Sequence, residues 1–283
     1  MDNLQQLIDS LPSLRETVEQ HGLMAKKALG QNFLLDKNIT DKIIRLSLDK
    51  QGLSDFRGHE IFEIGPGPGG LTRSVLRNNP HKLTVVEMDE RCINIMEEIK
   101  NLVGTRLDII NGDALQIDFS ELGSSPRHIV SNLPYNISVP LLTNWLWQIE
   151  AFTSLTLMFQ KEVADRICAP CGNKDYGRLS VLSQLICKID KLFDLNPNCF
   201  VPAPKIWSTV LLFRPLAQIS SQDILHKVEK LTSLAFGQRR KMVRQSLKSI
   251  PDIKQKLETI GLSETLRAEQ ITPQQYLQLA QLI

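Results

Sequence analysis

The chain reads as an α/β protein: a mostly parallel sheet with helices between its strands, followed by a small all-α C-terminal domain. Three observations predict this. From Ile61 onward, short apolar runs alternate with helical stretches, the pattern of a parallel sheet. The last two runs are joined by a connection holding Pro197, Pro202 and Pro204 with no helical pattern, so they are expected to pair antiparallel. After Pro215 everything reads helical, with Gln, Leu and Lys abundant.

Taken in order, Leu4, Leu7, Ile8, Leu11, Leu14 and Val18 recur at helical spacing, interrupted by Pro12. They form a short amphipathic preface suited to packing rather than targeting. A glycine-bearing segment, Lys26-Lys27-Ala28-Leu29-Gly30-Gln31-Asn32-Phe33-Leu34, leads into an apolar helix at 39–48. Strands are expected at 61–64, 83–86, 107–110, 128–130 and 155–159, with helices at 71–77, 91–101 and 139–149 between them. The later runs, 189–195 and 209–213, complete a sheet of seven strands. The domain boundary falls after Pro215, giving 1–215, with 1–25 as an N-terminal extension, and 216–283.

Composition bounds the function classes. With 283 residues, 42% hydrophobic and 23% charged, the chain can bury a sizeable core. Five cysteines, an odd number in a chain this long, form no secreted disulfide framework and suit a reducing cytosol. No apolar stretch approaches the ~18 residues of a membrane span. Asp2, Asp9, Glu16 and Glu19 argue against a transit peptide, so a cytoplasmic location is expected. Cys168-x-x-Cys171 lacks a second close pair and the histidines are scattered, so no metal site is expected.

Glu63-Ile64-Gly65-Pro66-Gly67-Pro68-Gly69-Gly70 closes the first strand and opens a helix. Gly65, Gly67 and Gly70 satisfy the G-x-G-x-x-G dinucleotide pattern, and Glu87 follows Gly65 by 22 residues, placed for ribose hydroxyls. This is a Rossmann-like arrangement, and the glycines alone leave the nucleotide open. Glu63, just ahead of the loop, suits a cationic ligand better than a pyrophosphate. Asp113, after the third strand, can accept an N–H from an adenine amino group; beside Gly112 it also fits a simple turn. Both features favour S-adenosylmethionine over NAD.

Asn132-Leu133-Pro134-Tyr135 follows the fourth strand. The Asn132 side-chain oxygen and a main-chain carbonyl near Pro134 can each accept one N–H of an exocyclic amine, while Tyr135 offers a flat face to the ring. The same residues also fit a proline turn in which Asn132 caps a helix and Tyr135 packs. Phe200 is a second stacking candidate, or a core ring ahead of a Pro-rich turn. Between Leu216 and Ile283 there are ten Lys/Arg against six Asp/Glu. Arg240, Arg244 and Lys248 recur at i, i+4, i+8, flanked by Arg239 and Lys241, as on a basic helix face; Lys26 and Lys27 form a second basic pair. A solvated amphipathic helix has the same spacing.

With these residues in place, the sequence resembles the small-subunit ribosomal RNA adenine dimethyltransferases, the KsgA family. The likeness runs from about Lys26 to the C-terminus. Beyond the motifs above it includes Gln160-Lys161-Glu162-Val163, Tyr176-Gly177-Arg178-Leu179-Ser180, Phe200-Val201-Pro202-Ala203-Pro204-Lys205 and Gln238-Arg239-Arg240-Lys241. The ordered set is specific where each motif is weak. The resemblance implies a Rossmann-like seven-stranded methyltransferase sheet over 1–215 and a helical RNA-binding domain over 216–283. It implies that Asn32, Leu34, Gly65, Glu87, Asp113 and Asn132 contact S-adenosylmethionine or line its pocket; Glu63 and Gly67 of the glycine loop join them as expected cofactor-binding residues. It further implies two methyl groups placed on N6 of each of two adjacent adenosines near the 3′ end of 16S rRNA, by an enzyme acting as a monomer on the small ribosomal subunit. Residues 1–25 are longer than in many bacterial members, and Cys168-Ala169-Pro170-Cys171 departs from the family pattern. Related alternatives are an adenine methyltransferase of large-subunit rRNA and a transcription factor derived from the same fold. An NAD-dependent oxidoreductase rests on the glycine pattern alone and lacks a catalytic constellation.

Overall fold

The computed structural model describes residues 3–23 and 32–283. Its order is α1 (Asn3–Asp9), α2 (Leu14–Gln20), β1 (Phe33–Leu34), α3 (Lys37–Gln51), β2 (Glu60–Ile64), α4 (Gly70–Arg77), β3 (Lys82–Glu87), α5 (Glu90–Val103), β4 (Leu107–Asn111) and β5 (Arg127–Asn132). Then come α6 (Ser138–Trp147), β6 (Ser154–Gln160), α7 (Lys161–Cys168), α8 (Arg178–Ile186), β7 (Cys187–Leu195), β8 (Phe200–Val201) and β9 (Ser208–Pro215). The chain ends in α9 (Gln222–Gly237), α10 (Val243–Ser246), α11 (Ile253–Thr259) and α12 (Pro273–Gln281).

The seven-stranded sheet has the order β4-β3-β2-β5-β6-β9-β7. β2 through β6 are mutually parallel where they pair, and β9 runs antiparallel to β6. β7 lies at the edge beside β9, so the two late apolar runs are neighbours as expected. Strand order reverses between β2 and β5: β3 and β4 extend to one side, β5 and β6 to the other. That is the switch point at which open α/β sheets bind ligands, outside the carboxyl ends of the strands. The central strands are apolar and buried on both faces; Ile61, Phe62, Val85, Ile129, Val130 and Leu157 are all 1% exposed or less.

The helices start and stop where local chemistry dictates. Asp36 caps α3 by accepting the Asn38 N–H at 2.8 Å, and Asp89 caps α5 through Arg91. Gly52 ends α3 in the left-handed region at φ 70°.

The preface packs. Pro12 separates α1 from α2, and Ser13 and Glu16 close a capping box on α2. Ile8 and Leu23 join the main hydrophobic cluster. Arg73 of α4, 6% exposed, donates to the Pro12 carbonyl and to Thr17 Oγ1 (3.1 Å), so a buried guanidinium stitches the preface down. Arg77 Nε reaches Asp9 Oδ1 at 2.8 Å. That hydrogen bond holds the Asp9 carboxyl below its usual range, against some desolvation.

Two compact units emerge: Met1–Lys161 with Asp190–Phe213, and Glu162–Ile189 with Arg214–Ile283. The late border, at Phe213/Arg214, lies close to the expected boundary. The single cut does not hold, because residues 162–189 group with the C-terminal helices. In that second unit the Tyr176 hydroxyl donates to the Ile271 carbonyl at 2.9 Å, Gln184 bonds the Ile167 and Ala169 carbonyls, and the Leu216 N–H donates to Ile186.

A second correction concerns the basic helix. No helix spans Arg240, Arg244 and Lys248: α9 stops at Gly237, Arg240 lies in a turn, and α10 is a single turn. Met242 instead forms a bridge with Arg267, and the Val243 N–H donates to the Leu266 carbonyl at 2.7 Å. These bonds to a distant segment take the backbone groups a continuous helix would need.

If the preface is part of the core, Ile8→Ala should cost about 2–5 kcal/mol of stability, as for other buried Ile truncations. Urea unfolding followed by circular dichroism measures this, and a loss under about 0.5 kcal/mol would mean the preface contributes no packing.

Candidate active site

One cleft, about 740 Å³, opens at the switch point and lies wholly within the first unit. That volume is in the usual range for small-molecule sites. Every residue expected to bind the cofactor lines it: Asn32, Leu34, Glu63, Gly65, Gly67, Glu87, Asp113 and Asn132. Pro134 and Tyr135 line it as well.

The loop after β2 forms one wall. Gly67 sits at φ 55°, where a Cβ would fall 3.0 Å from the Phe33 ring. A Cβ on Gly70 would fall 2.5 Å from the Leu34 carbonyl oxygen, an impossible contact. The glycines therefore let β1 close over the loop and leave room for a ligand at the start of α4.

Three acids follow three successive strands. Glu63 at the end of β2 is 2% exposed and accepts the Thr72 hydroxyl at 2.7 Å. Burial, with a smaller push from the Glu87 charge, raises its carboxyl to about 8, against the Thr72 bond. Glu87 at the end of β3 is also raised by burial, opposed by main-chain N–H donors from Asp89, Met88 and Gly67. Its Oε1 accepts Met88 and Asp89 at 2.8 and 3.0 Å. Asp113 follows β4; its Oδ1 accepts the Leu115 N–H at 2.9 Å, so it is both a turn residue and a pocket residue.

At the end of β5, Asn132 Nδ2 donates to the Asn32 carbonyl at 3.3 Å, which leaves Oδ1 as its acceptor. The Pro134 carbonyl accepts the Ile137 N–H at 3.1 Å, closing a turn ahead of α6. The Tyr135 hydroxyl is 2.6 Å from Ser208 Oγ, and burial raises its phenol above the ordinary value. Tyr135 is thus anchored by its tip and neutral near physiological pH.

Two sequence expectations meet a different arrangement, and a third falls outside the described residues. Phe200 is 2% exposed, belongs to the main hydrophobic cluster, and pairs through β8 with Leu34 of β1. It is a core ring in this arrangement, because an apolar side chain next to β1 gains more from burial than from the cleft. Arg239 and Arg244 are tied internally, to Glu269 (3.6 Å) and Glu264 (2.7 Å), while Arg240, Lys241 and Lys248 are exposed. Lys26 and Lys27 lie outside the described residues. Sequence reading missed Thr72 and Ser208, the hydroxyls that hold Glu63 and Tyr135. Ser208 lies 73 residues from Tyr135, beyond any local spacing signal. Among the described residues no group of His, Cys, Asp and Glu is arranged to hold a metal.

An open glycine cradle, buried acids that favour a cation, and an amine-accepting corner one strand away fit S-adenosylmethionine. Fold and cleft have the form of a Rossmann-like nucleoside-cofactor site, and a family match makes the class a methyltransferase with that methyl donor. A family model described as ribosomal RNA adenine dimethylase matches residues 22–283. The ribosomal RNA small subunit methyltransferase A of Rhodospirillum rubrum is 45% identical over 275 residues, covering 97% of this chain and 93% of that protein. Its counterpart from Paramagnetospirillum magneticum is 45% identical over 270 residues, covering 95% and 94%. A solved dimethyladenosine transferase from Plasmodium falciparum shares the fold with a TM-score of 0.74 at 24% identity, over 86% of this chain and 94% of that one. The 23S rRNA methyltransferase ErmE does so at 0.65 and 23%, over 88% and 98%. The chain belongs to the ribosomal RNA adenine dimethylase family.

The Glu63 carboxyl sets a pH signature. In the free folded protein it holds a proton up to about pH 8, whereas unfolded it would lose that proton near 4.5. Its contribution to stability is therefore full below about 4.5 and declines as pH rises to 8. Glu63→Gln should flatten that decline in urea titrations. A cation bound beside Glu63 should expel the proton, so the calorimetric heat of S-adenosylmethionine binding near pH ~7 should change with the buffer's ionisation enthalpy. A buffer-independent heat contradicts the assignment.

Proposed function

We propose that this chain dimethylates N6 of two adjacent adenosines near the 3′ end of 16S rRNA, acting as a monomer on the small ribosomal subunit in the cytoplasm. The observation that carries the reading is the Asn132–Tyr135 corner at the carboxyl end of β5, beside the cofactor cleft. The names of the bacterial relatives support small-subunit rRNA as substrate. Consistent with this, no described helix is long and apolar enough to cross a membrane.

The chemistry asks for positioning. The N6 lone pair of adenine is delocalised into the ring and is a poor nucleophile. Asn132 Oδ1 accepts one N6–H, and a main-chain carbonyl of Leu133 or Pro134 accepts the other, which holds nitrogen toward tetrahedral geometry. S-adenosylmethionine supplies an electrophilic sulfonium methyl. Alignment of this kind is worth about 7–11 kcal/mol in favourable systems. Tyr135, fixed through Ser208, stacks on the extruded base, a contact of roughly 1–3 kcal/mol. Its phenol is engaged and raised, so it is no general base. None is required before transfer, since nitrogen gains charge as the methyl arrives and its proton departs to water.

We assign RNA phosphate contact to the second unit, through Arg240, Lys241 and Lys248, with Arg239 and Arg244 ordering the segment by their ion pairs. Lys26 and Lys27 are proposed as a further contact.

Two outcomes test this. Asn132→Ala should reduce methyl transfer to undermethylated small subunits by at least about a hundredfold while cofactor affinity stays within about tenfold. Near-normal turnover removes Asn132 from the mechanism, and label appearing in large subunits instead of small redirects the substrate. Reversing Arg240 and Lys248 to Glu should weaken subunit binding and lower its salt slope by about 2, without moving cofactor affinity. Equal loss of both affinities would indicate misfolding.

A further inference from the structure

The connection between β8 and β9 carries an apolar surface that the cleft does not use. Val201, Ile206 and Trp207 are 52%, 39% and 46% exposed, in a chain whose large apolar side chains are mostly buried. Lys205, also exposed, lies among them. Three exposed large apolar side chains in one short connection, with a lysine in the same segment, are informative about what covers them.

Its position is fixed by three contacts within the first unit. The Trp207 carbonyl accepts the Lys161 N–H at 2.8 Å, which pins its backbone to the end of β6. The next residue, Ser208, pairs with Gln160 in the sheet and holds the Tyr135 hydroxyl at 2.6 Å. Along the carboxyl edge of the sheet the order is Asp113 after β4, Glu87 after β3, Glu63 and the glycine loop after β2, Asn132–Tyr135 after β5, then Trp207 ahead of β9. The cofactor acids occupy one side of the amine corner, and Trp207 lies on the other. Two strand spacings separate β5 from β9, about 10 Å, and Trp207 stands about three residues, or 10 Å, beyond the level of Asn132. That is within reach of a nucleotide adjoining the one in the cleft.

We propose that Trp207 is a stacking platform for an unpaired base flanking the target adenosine, with Lys205 meeting the phosphate between them. An enzyme that extrudes one base leaves its neighbour unstacked on at least one face, and an exposed aromatic two residues from an exposed lysine can supply the missing stack in a sequence-tolerant way. The inference rests on the proposed RNA substrate and adds a second base contact to it.

The test uses the full-length enzyme with undermethylated small subunits and labelled S-adenosylmethionine. Wild-type transfer to the subunit establishes the underlying reading; its absence would sink that reading before the inference is reached. Given transfer, Trp207→Ala should raise KM for subunits about tenfold, the loss falling on KM rather than kcat, with cofactor affinity unmoved. Trp207→Tyr should recover most of the loss. Lys205→Ala should lower the salt slope of subunit binding by about 1, and Trp207→Ala should leave that slope as it was. As a check independent of the alanine variant, a short unstructured oligoribonucleotide should quench wild-type tryptophan fluorescence more than that of Trp207→Phe. An unchanged KM, a parallel fall in cofactor affinity, failure of the Tyr rescue, or equal quenching in both proteins overturns the proposal. So does a KM effect seen with whole subunits but absent with deproteinised 16S rRNA, which would make a ribosomal protein the partner.

Discussion

The site depends on how β2 and β5 part. Their pairing runs from Glu60–Arg127 to Phe62–Ile129, and the crevice opens beyond it. At that point Ser131, 2% exposed, takes over: its hydroxyl donates to the Ile64 carbonyl at 2.7 Å and accepts the Ile64 N–H at 3.3 Å. A side chain thus satisfies backbone groups that the ladder would otherwise leave unpaired in a buried place. The neighbours on either side, Glu63–Gly65 and Asn132, are held at a fixed separation with a cavity between their ends. The glycine cradle and the proposed amine acceptor are adjacent because one hydroxyl lets two strands diverge while the Ile64 backbone groups stay paired.

Electrostatics then selects the ligand that fills the opening. Two raised carboxyls, Glu63 and Glu87, face the same cleft, and the charge of Glu87 is one of the causes that push Glu63 up. A pyrophosphate would add negative charge where two acids already oppose ionisation. A cation relieves both, so the glycine pattern shared with dinucleotide sites is read differently here. The discriminating information lies in the acid at the end of the first strand rather than in the glycines.

Much of this was legible in the chain. Strand positions followed from apolar runs, and the glycine loop and the three acids fell at strand ends as their spacing predicted. The tetrapeptide at Asn132 reached the cleft because β5 delivers it there. What failed did so for long-range reasons. Arg240, Arg244 and Lys248 have helical spacing, yet Leu266 and Arg267 capture the intervening backbone, an interaction no local period reveals. Phe200 fits a stacking ring or a core ring equally well by local sequence, and pairing with Leu34, far away in sequence, buries it. The border between units differs from the expected one because residues 162–189 lie between two strands of the sheet in sequence, while the Tyr176 hydroxyl among them donates to Ile271 in the C-terminal segment, a contact no local pattern reveals.

Dimethylation sharpens the demands on the acceptor corner. Adenine brings two N–H groups to the first transfer, and both acceptors can be used. Monomethyladenine brings one, so either Asn132 or the main-chain carbonyl loses its partner and the clamp weakens in the second round. Stacking is indifferent to that loss, since the ring face is unchanged by an N6 methyl. A product that must remain in place, or return, for a second methyl is therefore better held by rings than by amine hydrogen bonds. The proposed roles match the geometry: Tyr135, assigned the stack that must persist through both rounds, is tied at its hydroxyl to Ser208 at 2.6 Å, and Asn132, assigned the amide that must adapt between them, has a longer bond of 3.3 Å to Asn32.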